Sequence, residues 1–208
     1  MHAVLRALIL GVLLVCGPVA AMAAEGPDVV IKRAVDEAAA ALLADREIQA
    51  GNRQKLNALV EAKIVPYLNF QRMTQAAVGR HWARATPEQQ QSLVREFKAL
   101  LTNTYAGAFT AYRADTVIEY RPLRMQPGDN EAVVRSSVKA RNGEPIQLDY
   151  YVERIDGAWK VVDINVLGAR LVQTFQGQFN SEISANGIDG LIKALGAKNR
   201  AVEARSRS

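Results

Sequence analysis

The chain has almost nothing with which to build a metal centre or a disulfide framework: 208 residues contain one cysteine, Cys16, and two histidines, His2 and His81. It has no apolar run of about 20 residues, the length that a membrane-spanning helix needs. Aromatic residues number thirteen, and glycine and proline are neither clustered nor repeated, which excludes low-complexity and collagen-like chains. A hydrophobic fraction of 49% and a charged fraction of 23% are ordinary for a folded globular chain, and the length suits one domain. The formal net charge of +5 raises the question of nucleic acid. That reading needs a basic face on the folded body, and the placement of the charges does not supply one.

The first segment reads as an address. Met1 to Arg6 carries one positive charge, Ala7 to Val15 is apolar throughout, and Ala21, Met22 and Ala23 have the small–x–small form of a signal-peptidase site. Residues 1–23 are therefore expected to be a cleavable export signal. Cys16 ends the apolar run, but Val15 stands where a lipidated cysteine normally follows Gly, Ala or Ser, so a lipoprotein is set aside. After cleavage the chain has no cysteine, and His81 is its one histidine. Residues 198–208 hold Lys198, Arg200, Arg205 and Arg207 against Glu203, and the remaining body is close to +1. This basic end is expected to be a disordered, solvated tail, and no nucleic-acid partner is expected.

The body begins with helices. Residues 29–44 place Val35, Ala39 and Leu42 on one face, and Asp45 to Asn52 breaks the pattern. A second helix over about 53–64 carries Leu56, Leu59 and Val60 and meets Pro66. A short third helix spans about 69–77. Thr86-Pro87-Glu88-Gln89 is a capping box with proline at the first helical position. The helix it opens is expected to run to about Tyr112, with an apolar stripe through Leu93, Phe97, Leu101, Tyr105, Phe109 and Tyr112.

From about residue 116 the period changes to two. Thr116–Arg121, Glu131–Ala140, Ile146–Arg154 and Trp159–Val166 read as strands, with Asn142-Gly143 and Asp156-Gly157 as hairpin turns. Ile146, Leu148, Tyr150 and Val152 share one face; Gln147, Asp149, Tyr151 and Glu153 share the other. Helical spacing returns through Leu171, Val172, Phe175 and Phe179, with a short last helix near Ile188–Leu195. The expected architecture is α+β: a curved antiparallel sheet of about four strands covered by helices, with the long aromatic helix as its natural cover. Such a cone either fills with side chains or holds a ligand in an apolar cavity.

Catalytic equipment is sparse. There is no phosphate-binding glycine loop, no G-x-G-x-x-G and no G-x-S-x-G elbow. His81 reads as a hydrogen-bonding surface or loop residue. Asp163, between Val162 and Ile164 on a strand, is the one acid out of place; a structural bond to a nearby turn or amide is its first reading. An enzyme on a similar cone-shaped fold, with Asp163 or a tyrosine in an interior pocket, is the alternative.

Two blocks carry a family resemblance. Val78-Gly79-Arg80-His81-Trp82, then Thr86-Pro87-Glu88-Gln89-Gln90 and Phe97, resemble the L-G-x-x-W…T…Q…F block of the MlaC, or toluene-tolerance, family. Trp159 to Gly168, then Leu171, Val172, Phe175 and Phe179, are similar to its W-x-V-x-D-x-x-x-x-G block and following helix. The match covers roughly residues 28–197. The chain departs from the family pattern at Asn69 (often Asp), Leu167 and Arg170 (commonly Glu and Ser) and Gln176 (frequently Arg). A branch associated with hopanoid handling shares both blocks.

The resemblance implies a periplasmic carrier with no catalytic step and no cofactor, whose cargo is phospholipid. Its implied partners are an inner-membrane ABC transporter complex and an outer-membrane lipoprotein–porin complex, and its implied role is to maintain outer-membrane lipid asymmetry. A single lipid-binding domain over 24–197, acting as a monomer, is expected. The acyl chains are expected against Phe97, Leu101, Tyr105, Phe109 and Tyr112 of the long helix. Val134, Val138, Leu148, Tyr150, Val152 and Val161 would face them from the strands. Val166, Leu171 and Phe175 would close one side, and Leu68, Phe70 and Met73 the other. Each of these residues also suits an ordinary core.

Overall fold

The computed structural model describes residues 25–110, 112–141 and 143–205; of 106 and 108–110 only the backbone is described. The expected signal segment 1–23, with Cys16, lies outside the described residues. So do the side chain of Phe109 and the last three residues of the basic end.

Helices come first. α1 (Pro27–Ala44) opens with proline at its first turn, and Asp45 ends it. Asp45 then caps a one-turn α2 (Arg46–Gln49), accepting from the amides of Glu47 and Ile48 at 2.9 and 3.2 Å. The break expected at 45–52 thus contains a helical turn of its own. Asn52 caps α3 (Arg53–Lys63) and Asn69 caps α4 (Phe70–Val78) through the same kind of bond. α4 ends at Gly79, whose φ of +60° is open to glycine without cost. Thr86 and Gln89 form the expected reciprocal box at 3.2 and 3.0 Å, and α5 (Pro87–Thr110) follows it.

Five antiparallel strands form an open meander in the order β1-β2-β3-β4-β5: β1 (Val117–Tyr120), β2 (Glu131–Lys139), β3 (Ile146–Ile155), β4 (Ala158–Val166) and β5 (Ala169–Arg170). The first four match the alternation in the sequence. The fifth is two residues long and follows a hairpin turn at Leu167-Gly168, where both φ angles are positive, as they are at Asp156-Gly157. Leu167 is a poor residue for such a turn, so this hairpin was hidden behind its side chain. Between Tyr151 and Val152 the β3–β4 register slips, leaving Val162 as the extra residue of a bulge that bends the sheet.

Three apolar clusters result. The largest joins α4, α5 and α6 (Leu171–Arg205) around Phe97, which meets Phe175 and Phe179 edge-on at 5.1 Å each. A second lies on the inner sheet face, where Ile31 of α1 packs with Val134, Val152, Trp159 and Val161. A third joins α1, α2 and α3 through Leu42, Ile48, Leu56 and Val60. Leu68 packs against the first two, and its bridge to Val161 stitches the helical layer to the sheet.

Two expectations need correction. The described side chains of α5 turn towards α4 and α6, and the sealed part of the sheet is covered by α1 instead. The stripe of α5 is apolar enough for either partner, and only the tertiary arrangement chooses between them. Second, the C-terminal helix continues past Leu195 to Arg205, interrupted at Gly187 (φ +73°), so residues 198–205 are helical instead of a frayed tail. The cause is Asn199, which is buried and donates from Nδ2 to the carbonyl of Glu96 at 2.9 Å and to its carboxylate at 3.0 Å.

Phe97 has no exposed surface and sits between two aromatic rings. Phe97→Ala should therefore cost about 3–5 kcal/mol in denaturant unfolding. A loss below about 1 kcal/mol would show that the α4–α5–α6 cluster is loosely packed.

Candidate functional site

The inner face of the sheet is built in rows. Ala132, Val152 and Val161 form one, Val134, Tyr150 and Ile164 the next, then Tyr120, Ser136, Leu148 and Val166, and finally Ile118, Val138 and Ile146. Directly paired residues in a sheet share a face, so the alternation read from β3 has the orientation expected. The rows differ in cover. Val134, Val152 and Val161 are buried under α1 and Leu68. Ile118, Val138, Leu148, Tyr150, Ile164 and Val166 are half-buried, and Ile146 is exposed. One end of the concave face is thus sealed and the other is partly open.

The expected lining residues fall into separate places. Phe70, Met73, Phe97, Leu101 and Phe175 are buried together in the helical cluster, with Tyr105 packed at its edge. Val134, Val152, Val161 and Tyr150 belong to the inner sheet cluster, and Tyr112 packs against the α1–α3 cluster. Val138, Leu148 and Val166 line the open end of the sheet without joining any of the three clusters. Leu171 is buried at the start of α6. Tyr120 and Ser136 share the inner face and were not singled out from the sequence. Their alternation is readable, but the face of β1 and β2 is settled only by cross-strand register.

The outer face is polar. A cleft of about 390 Å³ there is lined by Arg124, Glu131, Arg135, Tyr151, Glu153 and Arg170 among others. That lining suits water and ions better than an acyl chain.

Asp163 is 3% exposed, and its carboxylate is fully engaged. Oδ1 accepts from the amides of Ile164 (2.8 Å) and Val172 (3.0 Å), and Oδ2 from Nε of Arg170 (2.8 Å). The bland reading of this acid holds: it serves the first turn of α6, for which the preceding Arg170 has no side-chain acceptor. His81 is buried, with Nε2 at 3.0 Å from Asn180 Oδ1, and so ties the turn after α4 to α6 instead of lying at the surface. No group of three His, Cys, Asp or Glu is placed to hold a metal, and no helix is long and apolar enough to cross a membrane, among the described residues.

Comparison with known proteins places this architecture. Residues 32–197 match the family described as MlaC protein. The chain belongs to the MlaC family. It is 28% identical over 179 residues to the toluene tolerance protein ttg2D of Pseudomonas putida, covering 86% of this chain and 82% of that one. It is 25% identical over 180 residues to the intermembrane phospholipid transport system binding protein MlaC of Haemophilus influenzae, covering 84% and 83%. A solved structure of the phospholipid-binding protein of Ralstonia solanacearum, in complex with a phospholipid, superposes with a TM-score of 0.82. It is 43% identical and covers 86% of this chain and 99% of that one.

Three of the four departures from the family pattern have local explanations. Asn69 caps α4 as an aspartate would. Arg170 both pairs with Asp163 and lies 4.1 Å over the Tyr151 ring. Gln176 donates to the carbonyl of Ala76 at 3.3 Å. Leu167 is 67% exposed at its hairpin tip, and nothing in the structure explains leucine there.

Burial raises the phenols of Tyr105, Tyr120 and Tyr150 above their ordinary value of 10.0; nearby Tyr150, Asp36 and Tyr112 add to the effect at Tyr120, and Ser136 opposes it at Tyr150. The unfolded chain gives up these protons first, so their contribution to stability is full below about pH 10 and fades as pH rises through the folded-state values. An alkaline titration of phenolate absorbance should show three of the six tyrosines ionising late, near the pH of unfolding. Removing the clamp has a separate cost: Asp163→Ala should lower stability by about 2–3 kcal/mol. A neutral result in thermal or urea unfolding would show that α6 is held without it.

Proposed function

We propose that this chain is a periplasmic phospholipid carrier, exported by residues 1–23 and holding acyl chains between the concave sheet face and the helices. The observation that carries this reading is the 43% identical, closely superposable Ralstonia protein in complex with a phospholipid. The curated relatives, named for phospholipid transport and toluene tolerance, agree with it. The open end of the inner face, with Val138, Leu148 and Val166 half-buried outside the packed clusters, offers apolar surface of the right kind. The engagement of both Asp163 oxygens removes the leading acid from the enzyme alternative.

The energetics suit a carrier. Sheltering a methylene from water is worth about 0.8 kcal/mol, so two sixteen-carbon chains represent on the order of 25 kcal/mol. A bilayer already provides that shelter. The protein needs only an interior about as apolar as the membrane, and loading is then nearly balanced. Direction comes from partners that distinguish loaded from empty protein. In this reading those partners are an inner-membrane ABC transporter complex and an outer-membrane lipoprotein–porin complex.

Gently purified protein should carry phospholipid, detected by mass spectrometry after organic extraction. Repeated isolation of lipid-free protein that takes up nothing from vesicles would overturn the proposal. Leu148 is the residue for a variant, because it faces inwards yet is only half-buried, whereas a charge at fully buried Val152 threatens the fold itself. Leu148→Asp should lower bound lipid at least about fivefold while the protein remains folded by circular dichroism.

A further inference from the structure

The inner face of the sheet carries hydroxyls that its packing does not use. Ser136 is 1% exposed in the middle of β2 and is directly opposite Tyr120 on one side and Leu148 on the other. Among the described residues, no hydrogen bond of normal geometry reaches Ser136 Oγ or Tyr120 Oη, although both atoms are sealed from solvent. Tyr150, paired with Val134, is the diagonal neighbour of Ser136; its hydroxyl approaches Ser136 without forming a bond of normal geometry. A buried hydroxyl left unmade destabilises a fold by about 1–3 kcal/mol. Valine at 136 and phenylalanine at 120 would have packed the same space without that cost. Such groups cluster where a ligand completes the set.

The chemistry of the cluster restricts the ligand. All three groups are neutral, and burial keeps the phenols protonated, so each offers an O–H donor at working pH. A phosphate calls for a cation, and Lys32, which lies above the Tyr120 ring, is already paired with exposed Asp36. A neutral acceptor carrying no hydrogen of its own is the complement, and in a diacyl phospholipid that group is the ester carbonyl. It lies between the headgroup and the chains, which is where a polar patch on an apolar wall belongs.

We propose that Tyr120, Ser136 and Tyr150 form a donor subsite for an ester carbonyl of the bound lipid, so that the protein distinguishes ester-linked from ether-linked phospholipid. The subsite rests on the phospholipid-carrier reading above. It fixes the depth at which cargo sits: the ester level meets the Tyr120–Ser136 row, and the chains run on along the apolar rows beside it.

The test is a competition. Purified full-length protein is incubated with vesicles holding equal amounts of phosphatidylglycerol and its dialkyl ether analogue of the same chain lengths, and the bound lipid is read by native mass spectrometry. A hydrogen bond of ordinary strength corresponds to an ester preference of about tenfold. In the Tyr120→Phe/Ser136→Ala double variant the ratio should fall to about one, through loss of the ester lipid while uptake of the ether lipid is retained. Equal uptake of the two lipids by the unaltered protein, or an unchanged ratio in the variant, overturns the subsite and leaves the carrier reading standing. No uptake of either lipid sinks both. Ser136→Ala alone should leave the lipid-free melting temperature unchanged or higher; a fall of more than a few degrees would reveal a structural partner for the hydroxyl and also overturn the proposal.

Discussion

Asp163 sits where the sheet ends and the helical layer begins, and the relation between the two depends on its carboxylate. One oxygen holds the first turn of α6 and the other holds Arg170. Arg170 in turn lies over Tyr151 on the outer face. A short hairpin alone would leave α6 free to swing, because Leu167 at its tip points mostly into solvent. With the clamp in place, Phe175 and Phe179 are delivered to Phe97, and α4 and α5 close around them. The bulge at Val162 belongs to the same device. It shifts β4 by one residue, so Asp163, which alternation with Trp159 and Val161 would place on the inner face, stands opposite Tyr151 instead and is buried beside the start of α6.

The helices then share two tasks. The α4–α5–α6 cluster is a packed core around three phenylalanines, and it stabilises the fold whether or not anything is bound. α1 and Leu68 cover only part of the concave sheet face. A core that sealed the whole face would gain stability and lose any space for cargo. On the carrier proposal, this half-buried end is where an apolar ligand is exchanged, and the net free energy of loading stays small.

Much of this was legible along the chain. The four main strands, the capping box at Thr86 and Gln89, the Asp156-Gly157 hairpin and the helix break near residue 187 all follow from local rules. Their signals lie within a few residues of one another and need no knowledge of the rest of the chain. The two family blocks around Trp82 and Trp159 were legible for the same reason. They hold the turn, the cap and the acid that the α4–α5–α6 assembly uses. The Leu167-Gly168 hairpin was not legible, since leucine is an unusual occupant of a left-handed turn. Nor was the ordered helix at 198–205, which depends on Asn199 reaching Glu96 about a hundred residues away.

By itself, the sequence determined the elements, their order and the polarity of each face, because period, caps and turn residues act over one or two turns of chain. Tertiary structure alone decided which apolar stripe became packed core and which stayed partly open. Phe97 and Leu148 are equally good core residues in isolation. One is surrounded by two aromatic rings from a helix about 80 residues away, and the other faces the uncovered end of a sheet. Register likewise brought Tyr120 and Ser136 together and left their hydroxyls without a bond of normal geometry among the described residues. Burial and hydrogen-bond satisfaction depend on every neighbour in space, and a one-dimensional pattern specifies only the neighbours in line.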